Sequence, residues 1–219
     1  MRMRKKKHGD ERLANCGGRV VHSPVEYKGK WNSLFGNEKA VHLEIGCGKG
    51  RFVTEMALRY PDINFVAIEK NVDVLILAAE KAFANGLKNI KFISADAEKL
   101  SEYFESGEIN RIYLNFSDPW HKTKHYKRRL TYSSFLELYK NILTKSGELH
   151  MKTDNRGLFD FSLREFSTFG GLDIKNITYD LHSSGFKGNI LTEYEEYFSK
   201  RNMPIYRCEA VFNSQSVTL

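Results

Sequence analysis

Apolar runs of strand length alternate with helical patterns from residue 41 onward. The strand-like runs cover residues 41–45, 65–68, 90–94, 112–116 and 148–152. Helical stretches, with apolar residues three or four positions apart, are predicted between them at residues 51–59, 72–84, 97–104 and 132–143. Alternation of this kind indicates parallel strands joined by crossover helices. Two more β-like runs, at residues 173–181 and 205–212, follow a further helix. The pattern predicts an α/β fold with a mostly parallel, seven-stranded sheet, an antiparallel C-terminal strand and helices on both faces.

Net positive charge is concentrated in two short segments of the chain. We interpret residues 1–40 as an N-terminal basic extension and residues 41–219 as the sheet domain. Residues 1–12 carry a net +4 and residues 121–129 a net +5, so the rest of the chain sums to −2 within a total of +7. Two basic patches on a nearly neutral body favour nucleic acid as the partner. Residues 2–7 are a candidate flexible arm for that partner, with a merely solvated tail as the alternative.

Composition argues against several other classes of protein. The cysteines, Cys16, Cys47 and Cys208, show no disulfide framework or metal spacing, which is typical of free thiols in a reducing compartment. His121 and His125 lack the intervening glutamate of a zinc-protease helix, so no metal site is predicted. The most apolar stretch, residues 72–79, is too short to cross a bilayer. We expect a cytoplasmic protein without a membrane segment; no obligatory protein partner is indicated, and monomer and homodimer both stay open.

The stretch from residue 118 to residue 129 carries the strongest functional signal. Asp118 follows the fourth strand-like run directly, and Pro119 cannot donate to a central ladder, so the chain leaves the sheet here. Open α/β sheets bind their ligands outside the carboxyl ends of the strands. The next positions are crowded with cations, namely Lys122, Lys124, Lys127, Arg128 and Arg129. An acid beside a polycation predicts chemistry on an anionic substrate, and a solvated surface loop is the alternative.

Three further acids lie near the ends of the first three predicted strands. Glu44 precedes a turn with Gly46 and Gly48 whose pattern is G-x-G-x-G, not the G-x-G-x-x-G of dinucleotide sites. A carboxylate here would repel a pyrophosphate but suits a cationic ligand such as S-adenosylmethionine. Glu69 ends the second run, where it can accept both hydroxyls of a ribose. Asp96 ends the third run and can meet an adenine amino group, or it is only the N-cap of the next helix.

These residues closely resemble the bacterial tRNA (guanine-N7-)-methyltransferase family of class I S-adenosylmethionine-dependent methyltransferases. The resemblance covers nearly the whole chain. Its main motifs are Arg-Lys-Lys-Lys-His at residues 4–8, Glu-Ile-Gly-Cys-Gly-Lys-Gly at 44–50, Asn-Phe-Ser-Asp-Pro-Trp at 115–120, Lys-Arg-Arg-Leu at 127–130 and Thr-Glu-Tyr-Glu at 192–195. One position departs from it: family members usually continue Pro-Trp-Pro-Lys, whereas His121 follows Trp120 here. The resemblance implies a Rossmann-like class I methyltransferase fold.

The resemblance also implies an activity, which is methyl transfer from S-adenosylmethionine to N7 of a guanine in tRNA, at variable-loop position 46, with S-adenosylhomocysteine as the product. The alternatives are a tRNA-binding module without turnover, another RNA base methyltransferase, and a nicotinamide-dependent oxidoreductase, which the glycine pattern and the polycation disfavour.

Together the residues and the resemblance give a set of site predictions. Asp118 is the predicted catalytic residue, and the predicted cofactor-binding residues are Glu44, Gly46, Gly48, Glu69, Asp96 and Asp118. The predicted tRNA-binding residues are Lys122, Lys124, Lys127, Arg128, Arg129, Asp154, Thr192, Glu193, Tyr194 and Glu195. Trp120 is a candidate stacking surface for the base, with ordinary packing as the alternative. Thr192 is in addition a candidate helix N-cap.

Overall fold

The computed structural model describes residues 7–213, and one sheet of seven strands organises them. Its strands are β1 (Val41–Ile45), β2 (Asn64–Glu69), β3 (Ile90–Ser94), β4 (Ile109–Asn115), β5 (Leu143–Thr153), β6 (Leu172–Thr178) and β7 (Tyr206–Phe212). Their order is β3-β2-β1-β4-β5-β7-β6. The pairings from β3 through β5 are parallel, and β7 pairs antiparallel with both β5 and β6. The predicted fold, including the antiparallel C-terminal strand, is confirmed.

Helices cover both faces of the sheet. They are α1 (Gly9–Ala14), α2 (Trp31–Phe35), α3 (Arg51–Arg59), α4 (Val72–Ala84), α5 (Leu100–Tyr103), α6 (Ser133–Ile142), α7 (Arg156–Phe169) and α8 (Glu193–Ser199). One buried apolar cluster includes Phe52 of α3 and Leu75 of α4, and the other includes Phe135 of α6 and Phe159 of α7. Burial on both faces explains why the strands are continuous apolar runs in the sequence. Within the described residues, no helix is long and apolar enough to cross a membrane.

Side-chain caps start the helices that follow β2 and β5. Asn71 precedes α4, and its side chain accepts a hydrogen bond from the backbone N–H of Asp73 at 3.0 Å. Asn155 precedes α7 and accepts from the N–H of Leu158 at 2.8 Å. Each cap satisfies a backbone donor that has no partner inside its helix. The residues just before each cap are thereby fixed at the carboxyl edge of the sheet.

The structure differs most from the predicted elements at four places. β4 begins three residues earlier than predicted. β5 begins five residues earlier than predicted, and between the pairs Ile109–Leu143 and Arg111–Glu148 its chain bulges around Gly147. The predicted helix at residues 97–104 is a 3-10 turn, Ala97–Lys99, followed by the short α5. β6 ends at residue 178, not 181. The strand differences concern where the strands begin or end, which depends on tertiary pairing more than on local pattern, and the difference at residues 97–103 concerns the type of helix.

The described part of the N-terminal segment packs against the sheet domain. Val21 N–H donates to the Phe92 carbonyl at 2.9 Å, and Phe92 N–H donates to the Arg19 carbonyl at 2.8 Å, which extends the β3 edge. Trp31 is fully buried, and its indole N–H donates to the Tyr103 carbonyl at 2.9 Å. Residues 1–6, most of the predicted basic arm, lie outside the described residues. The boundary at residue 40 stays a prediction.

Candidate active site

A cavity of about 1560 Å³ opens at the carboxyl ends of β1 to β4. The strand order reverses between β1 and β4, and open α/β sheets bind ligands at such a switch point. Small-molecule sites usually measure about 300–1000 Å³, so this cavity has room for a cofactor and a second ligand. The predicted site residues that line it are Glu44, Gly46, Gly48, Glu69, Asp96, Asp118, Arg128, Thr192, Glu193 and Tyr194.

The turn after β1 exposes its backbone to this cavity. Gly46 and Gly48 have φ angles of 78° and 56°, and a Cβ added to either residue would meet no atom within 4 Å. The N–H groups of Gly46 and Cys47 both donate to the Ile68 carbonyl, at 2.8 and 3.0 Å, which fastens the turn to the end of β2. Glycine adopts these angles without a steric cost and lets a ligand approach the backbone closely.

Gly50 allows the start of α3 to pack closely against α4, so its replacement should destabilise the protein. Its φ is 76°, and an added Cβ would lie 2.6 Å from the Cβ of Ala78 on α4. We expect Gly50→Ala to lower the free energy of unfolding by at least about 2 kcal/mol, because left-handed strain adds to the clash. Gly36→Ala is the matched control, since Gly36 has a φ of 67° but open space around it. Equal losses for both variants in chemical denaturation would contradict the packing role.

Glu44 is a buried carboxylate with only one oxygen engaged by the protein. The side-chain N–H of Asn115 on β4 donates to its Oε1 at 2.9 Å, which joins β1 to β4 at the switch point. Its Oε2 is buried and has no hydrogen-bond partner in the part of the chain that the structure describes. Burial raises the pKa of Glu44 to about 7, against a smaller lowering by Asn115 and Lys152. An orphaned carboxylate oxygen in a cavity wall suits a cationic ligand group.

Glu69 and Asp96, in contrast, are already tied to their surroundings. Glu69 accepts the N–H of Gly48 at 3.1 Å and the N–H of Asn71 at 2.9 Å. Asp96 accepts from Lys70 Nζ at 2.5 Å and from the N–H of Glu98 at 3.1 Å, so the alternative N-cap interpretation is correct for its structural role. The hydrogen bond from Lys70 is the main reason why the pKa of Asp96 is lowered. Both acids also line the cavity, so capping does not exclude ligand binding.

The loop after β4 has strained backbone on both sides of Asp118. Phe116 and Trp120 on either side of it have φ angles of 53° and 42°, which non-glycine residues seldom adopt. Asp118 itself is exposed and lines the cavity. Arg129 fastens the loop, because its Nε–H donates to the Pro119 carbonyl at 2.9 Å. Strained backbone of this kind concentrates at functional sites.

The basic segment 122–129 divides into exposed and engaged cations. Lys122, Lys124 and Lys127 are exposed in or beside the 3-10 helix Thr123–Arg128. Arg128 lies over the Trp120 ring, 5.0 Å from its centroid, and this Trp120 contact fits both interpretations of that residue. Arg129 is half-buried, with its guanidinium 4.4 Å from the Phe161 ring centroid. The structure therefore gives Arg129 an internal contact, while the three lysines face solvent.

Helix α8 closes one side of the cavity. Thr192 is its N-cap, as predicted, and accepts the N–H of Glu195 at 2.9 Å. Glu193 lines the cavity and accepts from Lys81 of α4 at 3.0 Å. Arg51 of α3 forms a second ion pair, with Glu196. Ion pairs from two helices thus hold α8 over the site.

Besides the cations at positions 122, 124, 127 and 129, two further predicted substrate residues do not line the cavity. The Glu195 side chain is fully buried and pairs with Lys152 of β5 at 2.6 Å. Asp154 follows β5, is half-buried and is not part of the lining; burial raises its pKa. The sequence did not predict the buried Lys152–Glu195 pair, a site role for Asn115, or the grouping of the Phe116, Tyr194 and Phe198 rings in the cavity lining. The aromatic spacing at residues 194, 197 and 198 was the available signal for these rings.

Solved structures with a similar architecture include methyltransferases. The 16S rRNA methyltransferase KamB aligns with a TM-score of 0.64 at 12% identity, over 84% of this chain and 93% of that chain. An S-adenosylmethionine-dependent methyltransferase from Aquifex aeolicus aligns with a TM-score of 0.57 at 13% identity, over 94% of this chain and 100% of that chain. The strand order and the similarity to these structures together define the Rossmann-like fold of class I methyltransferases.

Sequence relatives narrow this class. Residues 38–208 match the family model described as "Putative methyltransferase". The tRNA (guanine-N(7)-)-methyltransferase of Streptococcus pyogenes serotype M6 is 50% identical over 212 residues, which is 97% of this chain and 100% of the relative. The serotype M5 enzyme of the same name shows the same identity and coverage. The chain belongs to the tRNA (guanine-N7-)-methyltransferase family.

Proposed function

We propose that this protein transfers the methyl group of S-adenosylmethionine to N7 of a guanine in tRNA, at variable-loop position 46. One observation carries the proposal: the unpaired oxygen of Glu44 and the exposed carboxylate of Asp118 line the same cavity, beside a segment of exposed lysines. Relatives at 50% identity carry the name of this activity.

The residues of the cavity fit the cofactor. When bound, S-adenosylmethionine supplies an electrophilic methyl group on a sulfonium. Glu44 Oε2 offers the acceptor that an ammonium group needs, and Glu69 and Asp96 offer carboxylate oxygens to ribose hydroxyls and an adenine amino group. The open backbone at Gly46 and Gly48 leaves space beside them.

Methylation at guanine N7 requires no general base from the protein. The N7 lone pair lies in the ring plane, so it forms the new N–C bond as the C–S bond breaks, without prior loss of a proton. The base gains a positive charge, and the departing thioether is neutral. We assign Asp118 two tasks: accepting a hydrogen bond from a guanine N–H, which orients N7 toward the methyl carbon, and offsetting the developing charge.

The proposed tRNA contacts extend outward from this point. Lys122, Lys124, Lys127 and Arg128 bind backbone phosphates, and Thr192, Glu193 and Tyr194 lie close enough to the cavity to contact the target nucleotide. Arg129 and Glu195 support these contacts from inside the protein, by holding the loop and α8. Asp154 is assigned to nucleotides outside the cavity.

Transfer of labelled methyl groups to bulk tRNA tests the proposed function. The expected result is labelled tRNA whose chain cleaves, after chemical treatment specific for 7-methylguanosine, at position 46. A tRNA-binding module without turnover would bind tRNA and transfer no label. Another base methyltransferase would leave the label in a different nucleoside, and either outcome would contradict the proposal.

The proposed contact between Lys127 and a tRNA phosphate predicts how the affinity for tRNA depends on salt. We expect Lys127→Ala to weaken tRNA binding for all sequences alike and to reduce the slope of log affinity against log salt by about 0.7–0.9. Lys145→Ala is the control, because Lys145 is exposed near the amino end of β5, at the opposite edge of the sheet. An unchanged slope for Lys127→Ala, measured by filter binding from 50 to 200 mM salt, would remove Lys127 from the phosphate-binding surface.

A further inference from the structure

Three near-parallel aromatic rings lie together in the lining of the cavity that also contains Asp118. Phe116 lies opposite Tyr194, with ring centroids 6.3 Å apart and planes 17° from parallel. Phe116 lies opposite Phe198 in the same way, at 6.4 Å and 10°. All three residues line the cavity. Tyr194 and Phe198 are one helical turn apart on α8, so they form one wall and Phe116 forms the other.

These rings are farther apart than the packed aromatic pairs of the same protein. Trp31 stacks on Phe104 at 5.2 Å, and Phe159 stacks on Tyr206 at 5.4 Å, inside the apolar core. The pairs across the cavity are wider by about an ångström. A planar base stacked at about 3.4 Å on each side needs roughly 6.8 Å between two rings. Because Tyr194 and Phe198 lie one helical turn apart, they cannot both be centred over Phe116, so the spacing between the ring planes is smaller than the centroid distances of 6.3 and 6.4 Å. A base is therefore admitted only as the two walls separate further.

The surroundings fix the position of both walls and leave Tyr194 accessible. Phe116 lies two residues before Asp118, and its φ of 53° is a strained backbone conformation. Tyr194 is 63% exposed, an unusual position for an aromatic side chain that serves only packing. The other wall is held by the ion pairs of α8 with Lys81 and Arg51. A base between the walls would present an edge to Asp118.

We propose that Phe116 on one side, and Tyr194 with Phe198 on the other, clasp the target guanine between their rings; the inference rests on the proposed function. RNA-binding proteins commonly stack unpaired bases on aromatic side chains, and such stacking is insensitive to hydrogen-bonding groups. The clasp therefore holds the plane of the base, while Asp118 selects its edge. A wall of two rings one turn apart suits a bicyclic purine better than a pyrimidine.

Leucine substitutions test the clasp by removing the π-face at similar volume. We expect Phe116→Leu and Tyr194→Leu each to lower kcat/KM for tRNA by about 10- to 100-fold. Affinity for tRNA should change by only a few-fold, because phosphate contacts dominate it. Phe116→Tyr and Tyr194→Phe keep the rings and should retain most of the activity. The matched control is Tyr179→Leu, since Tyr179 is an exposed aromatic residue outside the cavity.

A fluorescent base gives a second readout that a merely structural role would not change. 2-Aminopurine, placed in tRNA at the nucleotide where wild-type methylation maps, is quenched when it stacks. We expect the wild-type complex to be quenched and the Phe116→Leu and Tyr194→Leu complexes to be several-fold brighter. S-adenosylhomocysteine affinity and melting temperature show whether each variant is folded. Should Phe116→Leu fail to fold, the exposed Tyr194 still provides the test.

The outcomes separate the clasp from the proposed function. If the wild-type protein does not methylate guanine N7, the proposed function fails. If it does, and the folded leucine variants match Tyr179→Leu in both kcat/KM and fluorescence, the clasp alone is overturned.

Discussion

Replacing Asp118 by asparagine should lower kcat for methyl transfer to tRNA by about 100- to 1000-fold, the usual loss when a preorganised electrostatic partner of the transition state is removed. The substitution keeps the shape of the side chain and removes its charge. A positive charge develops on the purine during the reaction, so the neutral amide stabilises the transition state less than the carboxylate does. Single-turnover transfer of labelled methyl groups to a tRNA transcript measures the effect.

The control for this prediction is Asp62→Asn. Asp62 precedes β2 at the amino edge of the sheet, and its side chain is almost fully exposed. We expect Asp62→Asn to retain wild-type kcat. For Asp118→Asn, we expect the loss of affinity for S-adenosylhomocysteine to be far smaller than the loss of kcat. Full methyl transfer by Asp118→Asn would show that the carboxylate does not act on the base.

Replacing Glu44 by glutamine should weaken S-adenosylmethionine binding by about 100-fold while stabilising the cofactor-free protein. Glutamine keeps an oxygen for Asn115 but offers no charge to the cofactor's ammonium group, and the loss of a buried ionic partner costs about 3 kcal/mol or more. Calorimetric titration measures the affinity, and thermal unfolding measures the stability.

The pH dependence of the unfolding free energy gives a second test of the Glu44 prediction. Burial raises the pKa of Glu44 from 4.5 to about 7, so the folded protein keeps a proton that the unfolded chain has lost. Stability of the cofactor-free protein therefore falls as pH rises from 4.5 to 7, by about 3 kcal/mol, and stays reduced above 7. Glu44→Gln lacks this loss, so its advantage in unfolding free energy should appear at pH 8 and vanish near pH 4.5.

Cofactor affinity should depend on pH with the opposite sign. A cationic ligand needs the ionised carboxylate, so wild-type affinity falls about tenfold for each pH unit below 7. The Glu44→Gln variant should lack this dependence between pH 5.5 and 7. A wild-type affinity that stays constant over this range would contradict the assignment of Glu44 to the ammonium group.

Local signals made several elements predictable with their boundaries. β1, α3, α4 and β3 begin and end at the predicted residues, because each combines a strong apolar period with a glycine, asparagine or proline signal nearby. The insertion of β7 between β5 and β6 had no such signal. Strand order at the far edge depends on pairing between segments that are distant in the chain.

The site was predictable where one rule of geometry governs it. Glu44, Glu69, Asp96 and Asp118 line one cavity because the carboxyl ends of parallel strands meet at the same edge. Sequence alone did not show that Glu195 turns inward to Lys152, since that pair joins residues 43 positions apart. The internal contact of Arg129 was hidden for the same reason, because charge in a basic run gives no indication of burial.

A tRNA transcript containing 7-deazaguanosine is a direct test of methyl transfer to guanine N7. This nucleotide replaces ring atom N7 by C–H and leaves the pairing edge unchanged, so the transcript still folds but has no N7 lone pair. We expect the protein to bind both transcripts, to methylate the guanosine transcript stoichiometrically and to transfer no methyl group to the 7-deaza transcript. Equal methyl transfer to both would place the reaction at an atom other than N7 and contradict the proposed function.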